Sequence, residues 1–154
     1  MIAIDTDVLG IYHVFKQDSR YPVTASFMHQ SERAERGVPI FSLLELCGLI
    51  STARQSEEAV EIFEAYLTSE SIDVLYPPVD LSSVEVFWAR QNAELLKRIE
   101  RKIRLGDAAI LWTVETHPCD VLITWNTKHY EGKATLWIQT PGEWLTDHSH
   151  SPGG

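Results

Sequence analysis

The chain has 154 residues, 44% of them hydrophobic, and a formal net charge of −9 from 22 acids against 13 bases. That length suits one domain with a sizeable core, and the acidity argues against a sequence-blind coat for long duplexes, which is normally basic. No apolar run approaches the length of a membrane span, and the start MIAIDTDVLG has no basic n-region or cleavable signal pattern, so a cytoplasmic protein without membrane contact is expected.

Residues 2–5 form a short apolar run that reads as a first strand, and DVLGIYHVFK at 7–16 has apolar residues at helical spacing. A proline-containing break at 18–23 precedes a helical stretch at 24–36, for which Gly37 is a good terminating residue. VPIF at 38–41 reads as a second strand, followed by helices at 42–53 and 57–69. IDVLY at 72–76 is a third strand closed by Pro77 and Pro78, and a long helix covers 82–103. A further helix runs from Asp107 to Thr116 and is closed by Pro118. DVLIT at 120–124 is continuously apolar, as a central strand should be, and TLWI at 135–138 is a fifth strand. A short helix follows Pro141-Gly142, and the tail 147–154 (DHSHSPGG) is expected to be disordered. Strands separated by helices predict a parallel sheet covered on both faces. Cys47 and Cys119 lie in apolar segments and read as buried free thiols.

Four distant phrases each carry one oxygen donor: IAIDTDVLG (Asp5), SLLELCGLI (Glu45), RLGDAAILWTVET (Asp107) and DVLITWNTKHY (Asn126). Asp5 and Asn126 follow strand-like runs, while Glu45 and Asp107 lie near helix starts. In a parallel α/β sheet, strand C-termini and neighbouring helix N-termini gather on one edge. Hard oxygen donors meeting there suit Mg²⁺ or Mn²⁺ and point to a metal-dependent phosphate chemistry. Each phrase also has a plainer local reading. Asp5 or Asp7 caps the first helix, with Asp7 the better cap and the weaker ligand. Ser42 and Glu45 form a capping box. Asp107 is an N-cap, Asn126 a turn residue, and His129 a packing residue of the loop. Thr124 either orients a water or phosphate or simply ends its strand. The basic run KRIERKIR is a solvated helix face or a phosphate-guiding patch.

Taken jointly, the order Asp after the first strand, Glu in the helix after the second, GDAAIL, VLITWNTKHY and the closing TPGEWL resembles the PIN-domain family, in particular its VapC-like ribonuclease toxins. The resemblance runs from Ile2 to about Leu145 and is most specific over residues 105–130. It implies a three-layer α/β/α sandwich over residues 1–146, with a central parallel sheet of four or five strands and an acidic pocket. It further implies an Mg²⁺- or Mn²⁺-dependent endoribonuclease, the toxin of a toxin–antitoxin pair, with an RNA substrate, a small antitoxin partner and a homodimeric state. Asp5, Asp107 and Glu45 match the metal-holding acids. Asn126 stands where many members have a fourth Asp, removing one charge from the pocket. Asn126 and Thr124 would orient water or substrate, and Lys97, Arg101 and Arg104 would guide RNA. In-line attack by an activated water would leave a 3′-hydroxyl and a 5′-phosphate.

Two other classes fit parts of the chain. A non-catalytic PIN-like module binding RNA or protein is compatible with Asn126. A phosphatase of the haloacid-dehalogenase kind is suggested by Asp5-Thr6-Asp7, but Leu9 and Leu111 occupy places where that pattern needs other residues.

Overall fold

The computed structural model describes residues 1–53, 56–79 and 82–149. Among these residues five strands, β1 (Ile2–Ile4), β2 (Arg36–Pro39), β3 (Asp73–Leu75), β4 (Val121–Ile123) and β5 (Trp137–Gln139), make one sheet in the order β3-β2-β1-β4-β5. Every pairing is parallel, with Ile2 opposite both Arg36 and Val121, and Ile4 opposite Ile123. Among the described residues seven α-helices cover the sheet: α1 (Thr6–His13), α2 (Tyr21–Gln30), α3 (Ile40–Ala53), α4 (Ser56–Leu67), α5 (Val84–Glu100), α6 (Leu105–Glu115) and α7 (Pro141–Ser149). This is the three-layer α/β/α architecture that the sequence predicts.

Side-chain alternation along the central strands divides the core in two. Ile2, Ile4, Val121 and Ile123 face α1, α2, α3, α4 and α7. Ala3 and Leu122 face the other way, against Ala108, Ile110, Leu111 and Val114 of α6. Helix α6 is buried on nearly all sides from Ala108 to Val114, which explains its uniformly apolar sequence. Helix α5 lies outside α6. The two are joined by Arg98, which is buried and donates to Glu94 at 2.8 Å and to Glu115.

Several boundaries differ from the pattern reading. The proline break belongs to α2, whose first turn contains Pro22, a position where the missing N–H costs nothing. The second predicted helix ends at Gln30, and a 3-10 turn covers Ser31–Arg33. Gly37 does not end a helix. It lies inside β2, where an added Cβ would come within 2.7 Å of the Leu75 side chain on β3. Ser42 does not open α3 as a capping box, because the helix already begins at Ile40. The Ser42 hydroxyl is buried with no hydrogen-bond partner among the described residues. Helix α7 extends to Ser149, past the expected domain end at residue 146. Asp147 accepts from Gln139 at 2.7 Å, and His148 stacks on Trp144 at 4.0 Å. Residues 150–154 lie outside the described residues. Cys47 and Cys119 are free thiols, each half-buried.

Candidate active site

β1 delivers Asp5 to the C-terminal edge of the sheet. Asp5, rather than Asp7, caps α1, its Oδ1 accepting from the Thr6 amide at 2.7 Å. β4 ends beside it and hands on Thr124, Trp125 and Asn126. α3 brings Glu45 from one side, and the first turn of α6 brings Asp107 from the other. Asp5, Glu45, Asp107 and Asn126 thereby line a single cavity of about 290 Å³, together with Asp7 and Arg20. The four donors read from separate phrases meet in one place.

Each acid is held by a specific neighbour. Glu45 Oε2 accepts from the Thr6 hydroxyl at 2.6 Å. It reaches there because residue 106 is glycine: a Cβ on Gly106 would sit 2.5 Å from Glu45 Oε1. Asp107 is the third residue of α6, not its cap, which falls on Arg104. Its Oδ2 lies 3.0 Å from His129 Nδ1. The buried Tyr130 hydroxyl donates to Asp5 Oδ2 at 3.2 Å and approaches Asp107 Oδ1 at 3.5 Å. Asp7 accepts from the Trp125 amide at 3.0 Å and from the Thr124 hydroxyl at 3.2 Å. Thr124 is therefore buried behind Asp7 and holds that acid, rather than facing the cavity. Asn126 precedes the 3-10 turn Thr127–His129 without a side-chain capping bond and lines the cavity.

The electrostatics are strained in the direction expected for crowded acids. Burial pushes the Asp5 carboxyl up to about 7, with the nearby Asp7 and Asp107 charges adding to the shift. Burial also raises Asp7, although the Trp125 amide and the Thr124 hydroxyl offset part of it. Tyr130 is raised well above the ordinary phenol range by burial and by the Asp5 and Asp107 charges, so its hydroxyl stays a donor. Among the described residues lining the cavity, Arg20 is the one cation. Its guanidinium is fixed by Asp18 at 2.7 and 2.9 Å and lies 5.7 Å over the Trp125 ring.

The donor set fits a hard divalent cation: oxygen only, mostly carboxylate, with four acids against the single guanidinium of Arg20 among the described lining residues. Among the described residues no group of three His, Cys, Asp or Glu side chains is gathered closely enough to form a ready-made cage. The fit is thus one of donor chemistry and electrostatics. Lys97, Arg101 and Arg104 are exposed and do not line the cavity. Asp7, Arg20, His129 and Tyr130 join the four expected residues. His129, read from sequence as a packing residue of the loop, instead pairs with Asp107, and Tyr130 beside it carries no motif that marks it for the site. Arg20 carries no local motif.

No protein-family model matches the sequence, and no curated protein matches it. Solved structures do match. VapC20 of Mycobacterium tuberculosis, a sarcin-ricin loop cleaving toxin, superposes with a TM-score of 0.63 at 14% identity, over 88% of this chain and 97% of that chain. VapBC-1 from nontypeable Haemophilus influenzae gives 0.60 at 22% identity, over 92% and 98%. VapBC2 from Rickettsia felis, bound to a DNA fragment from its promoter, gives 0.59 at 16% identity, over 91% and 98%. The chain shares the fold of these structures over nearly its whole length. Among the described residues no helix is long and apolar enough to cross a membrane.

Proposed function

We propose that this protein is a metal-dependent endoribonuclease, the toxin of a toxin–antitoxin pair. The observation that carries the reading is the convergence of Asp5, Glu45 and Asp107, from three distant segments, on one cavity at the C-terminal edge of the sheet. The fold shared with VapC-type toxins supports the same reaction class and a small antitoxin protein as partner. The exposed apolar residues of α5, such as Val84 at 68% and Trp88 at 53%, support a second copy of the chain as a further partner. The cytoplasm is the compartment in which RNA and an antitoxin would both be met.

Asp5, Asp107 and Glu45 would hold Mg²⁺ or Mn²⁺. When bound, the cation supplies Lewis acidity, activating a water near neutral pH and offsetting charge on the scissile phosphate. The chain's own contribution is placement. Thr6 fixes both Asp5 and Glu45 at the head of α1, through its amide and its hydroxyl. Tyr130 and His129 brace Asp5 and Asp107 from behind, so the oxygens are oriented before substrate arrives. Asn126 offers a neutral carboxamide on the cavity wall, able to orient a water without adding charge. Arg20 would contact a substrate phosphate at the cavity mouth, a role the sequence reading gave to Lys97, Arg101 and Arg104.

The test is cleavage of an end-labelled structured RNA by purified protein. Wild type with Mn²⁺ should cut and leave 5′-phosphate ends. Asp5→Asn and Asp107→Asn should lose at least about a hundredfold in rate while remaining folded, given that each removes a charged metal ligand. Undiminished cutting by the folded double variant would refute the proposal.

A further inference from the structure

Arg36 opens β2 at the strand N-terminal edge, away from the acidic cavity. It is only 6% exposed. Its terminal nitrogens donate to two neutral acceptors, the Met28 carbonyl at 3.0 Å and the Ser71 carbonyl at 3.4 Å. Its Nε has no hydrogen-bond partner among the described residues. Nor does a carboxylate among them lie within ion-pair distance of it. The other buried arginine, Arg98, is matched by Glu94 and Glu115. A buried guanidinium that meets only neutral groups is expensive, and no described carboxylate closes on it.

The space for one is present. Arg36 lines a cavity of about 230 Å³ between α1, α2 and α4. Met28, Ile62 and Ile72 give it apolar walls, and the Ser69 and Ser71 hydroxyls, 3.2 Å apart, add donors. Glu32 also lines it, but that side chain is 59% exposed and lies 3.5 Å from His29 Nδ1, not on Arg36. The volume is below the roughly 300 Å³ at which sites for drug-sized ligands begin. A cleft with apolar walls on one side, Tyr12, His13 and Tyr66 on the other, and one buried fork-shaped cation suits a planar anion on a short hydrocarbon body. We propose that this cavity binds a small aliphatic carboxylate, its carboxylate on the Arg36 guanidinium and its tail against Met28, Ile62 and Ile72. The cavity shares no lining residue with the acidic one, so the inference stands apart from the ribonuclease reading.

The experiment is a titration of ¹⁵N-labelled wild type with sodium butyrate, following the Arg36 Nε–H resonance, which is assigned through contacts to Met28 and Ser71. Sodium chloride at matched ionic strength is the control. A saturable shift with butyrate alone is expected, together with a rise in melting temperature that Arg36→Met abolishes. Following the wild-type resonance keeps the test valid if Arg36→Met does not fold. Three results would overturn the inference: no saturable shift beyond chloride, a larger shift with sodium phosphate, or saturation by an N-acetylated glutamyl peptide and not by butyrate.

Discussion

At the scale of single residues, the cavity is a set of acids that destabilise the empty fold. Asp5 ionises near pH 4 when unfolded and near 7 when folded. Its folded pKa is raised, so the native state binds the proton more tightly. Stability from this group is therefore fully present below about pH 4, is lost as pH rises toward about 7, and stays lost above it. Metal-free Asp5→Asn should accordingly melt higher than wild type at pH 8, and the gap should shrink toward pH 4; calorimetry in chelator checks this. Asn126→Asp should act in the opposite sense. A further carboxylate would tighten Mn²⁺ binding and lower the metal-free melting temperature; unchanged values for both would take Asn126 out of the site. Gly106→Ala isolates Glu45. Alanine suits a helix better than glycine by about 1 kcal/mol, and the clash falls on the mobile end of a glutamate. The variant should be as stable as wild type or more so, yet weaker in metal binding and cleavage. Lost stability with intact metal binding would contradict that placement of Glu45.

At the scale of elements, the strands and most helices were legible because each apolar run carries its own period. β1 and β4 appear in sequence as IAI and VLI, and both are buried on both faces of the sheet. The errors came where a residue type has two uses. Gly37 looks like a helix end, but its small size serves strand packing against Leu75. Ser42 and Glu45 have capping-box spacing, but α3 starts before them and Glu45 turns to Thr6 instead. The basic run divides in a way that no periodicity reveals: Arg98 turns inward to Glu94 and Glu115, while Lys97, Arg101 and Arg104 stay exposed. Its roles should separate by experiment. Arg98→Met takes the charge partner from the nearly buried Glu115 carboxylate, which keeps only the Thr135 amide and hydroxyl, at an expected loss of about 3 kcal/mol. The unfolding midpoint in urea should fall while Mn²⁺ affinity holds. Lys97→Ala should leave stability within about 0.5 kcal/mol of wild type. Equal effects from the two variants would mean that Arg98 is not the tie between α5 and α6.

At the scale of the whole molecule, a parallel sheet makes the site legible before any contact is known. Strand ends collect on one edge, so Asp5, Asp107 and Asn126 could be placed together from their positions alone. The bracing layer could not be placed in that way. Tyr130 meets Asp5 across 125 residues and Arg20 lies over Trp125; such pairings depend on how loops pack, which periodicity does not encode. The same architecture sets the cation as a stabilising ligand of the native state. Millimolar Mn²⁺ should raise the melting temperature in proportion to the logarithm of its concentration, and chelator should reverse the gain. The most direct measurement is anomalous diffraction from crystals soaked in Mn²⁺. The account predicts a peak inside the acidic cavity, within coordination distance of Asp5 and Asp107, that disappears in Asp5→Asn. Crystals of the intact protein with an unoccupied cavity at saturating Mn²⁺, or with their strongest peak elsewhere, would contradict it.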